Sequence, residues 1–93
     1  MALDQRMAVE LGIRRGSPLT RLTQRQFEVL SLIARGYTNA SVAGAICVEE
    51  KTVENYINAI YQELHLASNG VSHPRVVATL TFLYETRFSE SPR

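Results

Sequence analysis

The sequence predicts an all-α fold, a compact set of four helices with a short helix ahead of them. Two observations carry this. Three N-terminal capping signals recur at matching offsets between Leu22 and Leu64. The apolar residues that follow each signal repeat with a helical period.

Residues 1–18 come first and read as a junction. Leu3, Met7 and Leu11 are spaced for one weakly amphipathic helix, with Asp4 as its cap. Gly12 and the run Arg14-Arg15-Gly16-Ser17-Pro18 then read as a flexible basic linker, solvated rather than bound to phosphates.

The first long helix is expected near 24–35. Thr23 is a good N-cap and Gln26 stands at the capping-box spacing, while Leu22 and Phe27 occupy the two positions of a hydrophobic staple. Phe27, Leu30, Ile33 and Ala34 share one side, and Gly36 lies just past the end, where a left-handed residue closes a helix. The second helix, near 39–46, has Thr38 as cap, Tyr37 and Val42 as staple, and Val42, Ala43 and Ile46 as its buried stripe. The third, near 50–64, starts at Glu49. A carboxylate there suits the helix dipole, although Glu caps less well than Ser or Asp. Val48 and Val53 form its staple, and Val53, Ile57, Ile60, Tyr61 and Leu64 its stripe. Only Cys47 and Val48 separate the second helix from the third, with Cys47 expected as a semi-buried filler. A short helix, a tight turn and a longer helix make a helix-turn-helix unit.

A loop from His65 to His73 follows, with Asn69-Gly70 as its turn. Pro74 suits the first position of a last helix, near 74–86. Val76, Val77, Leu80 and Leu83 continue at helical spacing and are expected to face inward; Thr79, Phe82 and Tyr84 are left for a partner surface. Residues 89–93 read as a frayed tail, which leaves 19–88 as the domain.

The outer face of the third helix carries the functional signal. Lys51, Glu54, Asn55, Asn58 and Gln62 lie on one side, within about 60° of the Lys51 direction at 100° per residue, and nearly opposite the apolar stripe. Every one of them can hydrogen-bond a base edge: Asn and Gln pair with adenine, Lys donates to guanine, and Glu accepts from the cytosine amino group. Thr52 and Tyr56 flank the ridge, where hydroxyls reach phosphates. An ordinary solvated helix face carries more Lys and Glu than Asn, and the ridge sits on the helix that would enter the major groove.

These residues resemble a known pattern. Leu22-Thr23, Arg25, Glu28-Val29-Leu30, Gly36-Tyr37-Thr38-Asn39 and Lys51-Thr52-Val53 are similar to the motifs of the LuxR/GerE-type DNA-binding domain, as used by NarL/FixJ-family response regulators. The resemblance covers roughly residues 19–84. It implies a third helix in the major groove of double-stranded DNA, and a homodimer that pairs through the C-terminal helix. By position it implies base contacts from Lys51, Glu54, Asn55 and Asn58, backbone contacts from Thr38, Asn39, Thr52 and Tyr56, and a dimer interface of Thr79, Phe82 and Leu83. The chain departs from the pattern at Ser41, where Glu is usual, at Glu49, where Ser or Thr is usual, and at Glu54 and Glu63, where a cation is common. Weaker second and third helix starts are expected from the first two.

Composition bounds the function. The 93 residues make one domain, and 45% hydrophobic content fills a modest core. Net charge is +1, and from Arg21 to Leu64 four basic residues meet five acidic ones, a local −1. Weak non-specific DNA binding is expected, since phosphate neutralisation supplies most of that affinity. One cysteine agrees with a reducing cytoplasm, no apolar run approaches the roughly 18 residues of a membrane span, and there is no signal-peptide pattern. His65 and His73 have no metal-ligand spacing, and no phosphate loop or activated nucleophile is present, so neither an enzyme, a metal, a cofactor nor a small-molecule ligand is expected. A response regulator's receiver would need more than 100 residues, so an excised output domain is favoured over a small stand-alone regulator. The alternative in another class is a helix-turn-helix-derived interaction or dimerisation module with weak or no DNA binding, for which Glu49, Glu54 and Glu63 argue.

Overall fold

The computed structural model describes residues 2–66 and 73–86. The Asn69-Gly70 turn and the 89–93 tail lie outside them. Among the described residues five α-helices follow in order: α1 (Gln5–Glu10), α2 (Gln24–Ala34), α3 (Asn39–Ile46), α4 (Glu50–Glu63) and α5 (Pro74–Glu85), with a 3₁₀ turn at Pro18–Arg21 before α2. There is no strand among the described residues, only an isolated antiparallel bridge between Ala2 and Thr23.

The helix starts are held by local hydrogen bonds. At α2, Thr23 Oγ1 accepts from Gln26 N–H at 3.1 Å, and Gln26 Oε1 accepts from Thr23 N–H at 2.9 Å. At α3, Ser41 completes the same reciprocal box with Thr38: Ser41 N–H donates to Thr38 Oγ1 at 3.1 Å, and Thr38 N–H to Ser41 Oγ at 2.8 Å. A hydroxyl therefore does there what Gln or Glu does in the longer version, and the second start is not weak. Glu49 makes no side-chain cap bond, as expected of a poor cap. α2 closes on Gly36 at φ 96°, with Gly36 N–H bonded to Ile33 O and Tyr37 N–H to Leu32 O, the paired bonds of a Schellman stop.

α2 lies at the centre and packs against α3, α4 and α5, while α3 also packs on α4. Phe27, Leu30 and Ile33 of α2, Val42, Ala43 and Ile46 of α3, and Val53, Ile57 and Ile60 of α4 are buried, with Tyr61 and Leu64 at the edge. Val29 is fully buried as well and was missing from the expected stripe.

Three further expectations are corrected. First, residues 12–18 do not form a free linker. Leu3, Ala8, Ile13 and Leu19 join the core, Leu3 N–H donates to Leu22 O at 2.9 Å, and Arg14 N–H donates to Glu85 O at the end of α5. Gly12 makes this possible: its φ is +76°, and a Cβ there would stand 3.2 Å from Thr86 O. The Arg14 guanidinium stacks 4.7 Å from the centre of the Tyr84 ring. Second, Cys47 is exposed; it ends α3 in the left-handed region at φ 60°, which reverses the chain and keeps the side chain out of the core. Third, the faces of α5 are nearly the reverse of those expected. Ala78 and Phe82 are buried, whereas Val76 and Leu80 are 55% and 59% exposed. Phe82 brings the largest apolar surface on the helix, its ring lies 5.3 Å from that of Phe27, and Ala78 allows close approach to α2. Phe82 is thus a core residue, with little surface left for a partner.

Candidate nucleic-acid interface

Core packing fixes the orientation of α4. Val53, Ile57 and Ile60 are buried, so Lys51, Glu54, Asn55, Asn58 and Gln62 stand outward, all exposed. The helix is thus anchored along one side and polar along the other. Thr52 and Tyr56 are half-buried at the margin of the ridge, and Tyr56 packs against the core. A margin position leaves a hydroxyl able to meet a phosphate while the rest of the side chain is fixed.

Charge along the ridge is partly self-neutralised. Lys51 Nζ lies 3.6 Å from Glu54 Oε1, and both side chains are well exposed. Such a surface pair contributes little to stability, so either partner is easily drawn away from the other. Nearby on α2, Arg25 donates to Glu28 at 3.0 Å, and its pKa is raised, by Glu28 foremost and then by Tyr56. Arg25 is thus a cation beside Tyr56, brought to this margin from α2.

The start of α3 supplies the other group of expected contacts. Thr38 is exposed, and its Oγ1 already accepts from Ser41 N–H, so the hydroxyl has a proton to offer outward or to Ser41 Oγ at 3.0 Å. Asn39 is half-buried, and its Oδ1 accepts from Arg75 Nη1 of α5 at 2.9 Å. Arg75 Nη2 donates to Tyr37 O at 2.8 Å. Arg75 was not singled out from the sequence. The available signal was its place: a cation right after Pro74, in the first turn of a helix, opposes the helix dipole and so implies acceptors elsewhere. Arg21 does the converse at the far end of α4, donating from Nη1 to Glu63 O at 3.0 Å. Tyr61, partly buried on α4, has its pKa raised by burial, with Arg75 acting the other way.

On α5 the expected partner contacts divide. Phe82 is in the core, Leu83 is partly buried, and Thr79 is half-buried with its hydroxyl donating to Arg75 O. The exposed apolar row is instead Val76, Leu80 and Tyr84, four residues apart. Among the described residues no group of His, Cys, Asp and Glu could hold a metal ion, and no helix is long and apolar enough to cross a membrane.

Comparison with known proteins gives the family. Residues 20–72 match the family model described as bacterial regulatory proteins, luxR family. The chain is 35% identical over 66 residues to the transcriptional regulatory protein DegU of Brevibacillus brevis, a stretch that covers 68% of this chain and 28% of that protein. The chain thus spans little more than a quarter of that relative. No solved structure matches it. The family is one of DNA-binding transcription regulators rather than of enzymes. With its all-α fold, its helix-turn-helix and a family match over more than half its length, the chain belongs to the LuxR family of bacterial regulatory proteins.

Proposed function

We propose that this chain reads a specific DNA sequence through α4 and works as a symmetric pair through α5, as the output domain of a two-component response regulator. One observation carries the reading. α4 presents Lys51, Glu54, Asn55, Asn58 and Gln62 as an exposed polar row directly across the helix from Val53, Ile57 and Ile60 in the core. A helix so anchored can lie in the major groove with its donors and acceptors on base edges. Lys51, Glu54, Asn55 and Asn58 are the proposed base contacts. Thr38, Asn39, Thr52 and Tyr56 are the proposed phosphate contacts. Residues 19–88 would form the DNA-reading unit, with 1–18 as the junction docked onto it. Its place of action would be the cytoplasm, where a bacterial chromosome lies.

The pairing surface we propose on α5 is the one its core packing leaves exposed. With Phe82 in the core, the surface offered by α5 is Val76, Thr79, Leu80 and Tyr84, bordered by Leu83. A second reading, an interaction module with little DNA affinity, is favoured by the local charge of −1 and by the Lys51–Glu54 pair. A salt titration of binding to random duplex and to a duplex selected from a random pool separates the two. A DNA reader binds the selected site tighter and shows a log–log salt slope that reports its phosphate contacts. Equal, negligible binding to both duplexes would leave the interaction module.

A further inference from the structure

The Arg75 guanidinium straddles the start of α3. Its two terminal nitrogens donate to Tyr37 O at 2.8 Å and to Asn39 Oδ1 at 2.9 Å, the residues on either side of the N-cap Thr38. Neither acceptor is needed for the cap itself. Thr38 and Ser41 already satisfy one another's N–H groups, and Val42 N–H bonds Thr38 O at 2.8 Å. The fork therefore adds something the capping box does not. It ties α3 to α5 across 36 residues of chain, and it fixes which way the Asn39 amide faces. Guanidinium is a donor only, so the oxygen of Asn39 must be the atom turned toward it. The amide nitrogen, a donor of two hydrogen bonds, is then turned away from Arg75. Asn39 is the first residue of α3, and the capping box leaves the backbone N–H groups of Asn39 and Ala40 without an acceptor within the helix.

We propose that Arg75 is a positioning residue for DNA binding: by holding Asn39 Oδ1 and Tyr37 O it presents the Asn39 amide N–H groups, together with the start of α3, to a backbone phosphate. This rests on the DNA-reading function proposed above. A two-point fork is what the role requires. A lysine in its place carries the same charge as a single point and cannot hold both acceptors in one fixed geometry.

The test is a binding cycle on the full 93-residue chain, using a selected duplex and a random duplex, with Arg75→Gln, Arg75→Lys, Asn39→Ala and the doubles Arg75→Gln/Asn39→Ala and Arg75→Lys/Asn39→Ala. Arg75→Gln is expected to weaken binding to both duplexes alike, on the order of tenfold, the size of one hydrogen bond to a charged group. Base preference should not change, because phosphate contacts carry no sequence. Arg75→Lys should restore little. In the Asn39→Ala background, Arg75→Gln should cost clearly less than it does in the parent. The Asn39 side-chain amide resonances of the free protein should also move in both Arg75 variants while backbone shifts along α4 stay put. If Arg75→Lys binds as the parent does, charge alone is at work. If Arg75→Gln weakens Asn39→Ala as much as it weakens the parent, the effect does not pass through Asn39. Either result overturns the proposal. Should Arg75→Gln lose its helical signal, the two arms with Arg75→Lys still decide. A parent chain that binds neither duplex would instead overturn the DNA-reading function, and the positioning role with it.

Discussion

Thr38 and Phe82 show how single residues fix the working surface. Thr38 caps α3 through a reciprocal box with Ser41, so a change there should cost stability and also loosen the first turn. Thr38→Ala is expected to destabilise by about 1 kcal/mol, the usual loss of an N-cap. Denaturant melts of the two chains check it; an unchanged midpoint would mean that Arg75 alone holds the start of α3. Phe82 is the opposite kind of residue, an apolar ring 7% exposed and 5.3 Å from Phe27. Phe82→Ala should remove roughly 3–5 kcal/mol, as other buried Phe truncations do. Val76→Ala, on the exposed side of the same helix, should change the melt by only a few tenths. Equal losses at the two positions would mean that the faces of α5 are wrongly oriented.

At the scale of elements, what the sequence discloses is what is decided locally. The starts of α2 and α3 are set by side chains three residues apart, and α4 is apolar on one side only. Periodicity therefore orients α4, and with it the polar ridge of Lys51, Glu54, Asn55 and Asn58. α5 is apolar nearly all round: Val76, Val77, Leu80, Leu83 and Tyr84 compete with Ala78 and Phe82 for the core. A helical period cannot choose between two apolar faces, and the choice falls to the fit of Phe82 against Phe27. The docking of residues 12–18 was hidden for a related reason. Its determinants are a glycine with positive φ and a bond from Arg14 N–H to Glu85 O, more than seventy residues along the chain. Arg75 was missed because its acceptors lie on another element. The exposed row on α5 leads to an expected outcome of its own. Leu80→Asp should leave the melting midpoint within about 0.5 kcal/mol of the parent, since position 80 is mostly solvated. It should weaken cooperative binding to a duplex with two half-sites. Sedimentation of protein with that duplex checks this, and unchanged cooperativity would remove α5 as the pairing surface.

For the whole molecule, the N-terminal segment and the helix-turn-helix behave as one folded body. Ile13 is buried, and the backbone beside it bonds the end of α5. Ile13→Ala should therefore cost about 2–5 kcal/mol of global stability, a loss that a solvated linker would not show, and a thermal melt followed by helical signal measures it. Charge is the other whole-molecule property. The chain carries +1 overall and −1 from Arg21 to Leu64, too little to hold DNA by attraction alone. The proposed binding would then depend on where a few side chains stand, above all on the α4 ridge.

Binding of Asn55→Ala and Glu54→Lys to a selected site, its single-base variants and random duplex tests that dependence most directly. Asn55→Ala should lose affinity for the selected site and relax preference at one base, by about 1–3 kcal/mol if a bidentate pair to adenine is lost. Glu54→Lys should tighten binding to random duplex, steepen its salt dependence and change preference at one base, because a negative acceptor becomes a positive donor and the Lys51 pair is lost. Both variants should keep the parent's helicity, since positions 54 and 55 are exposed. If the two bind every duplex as the parent does, α4 is not the reading head, and the interaction-module reading takes its place.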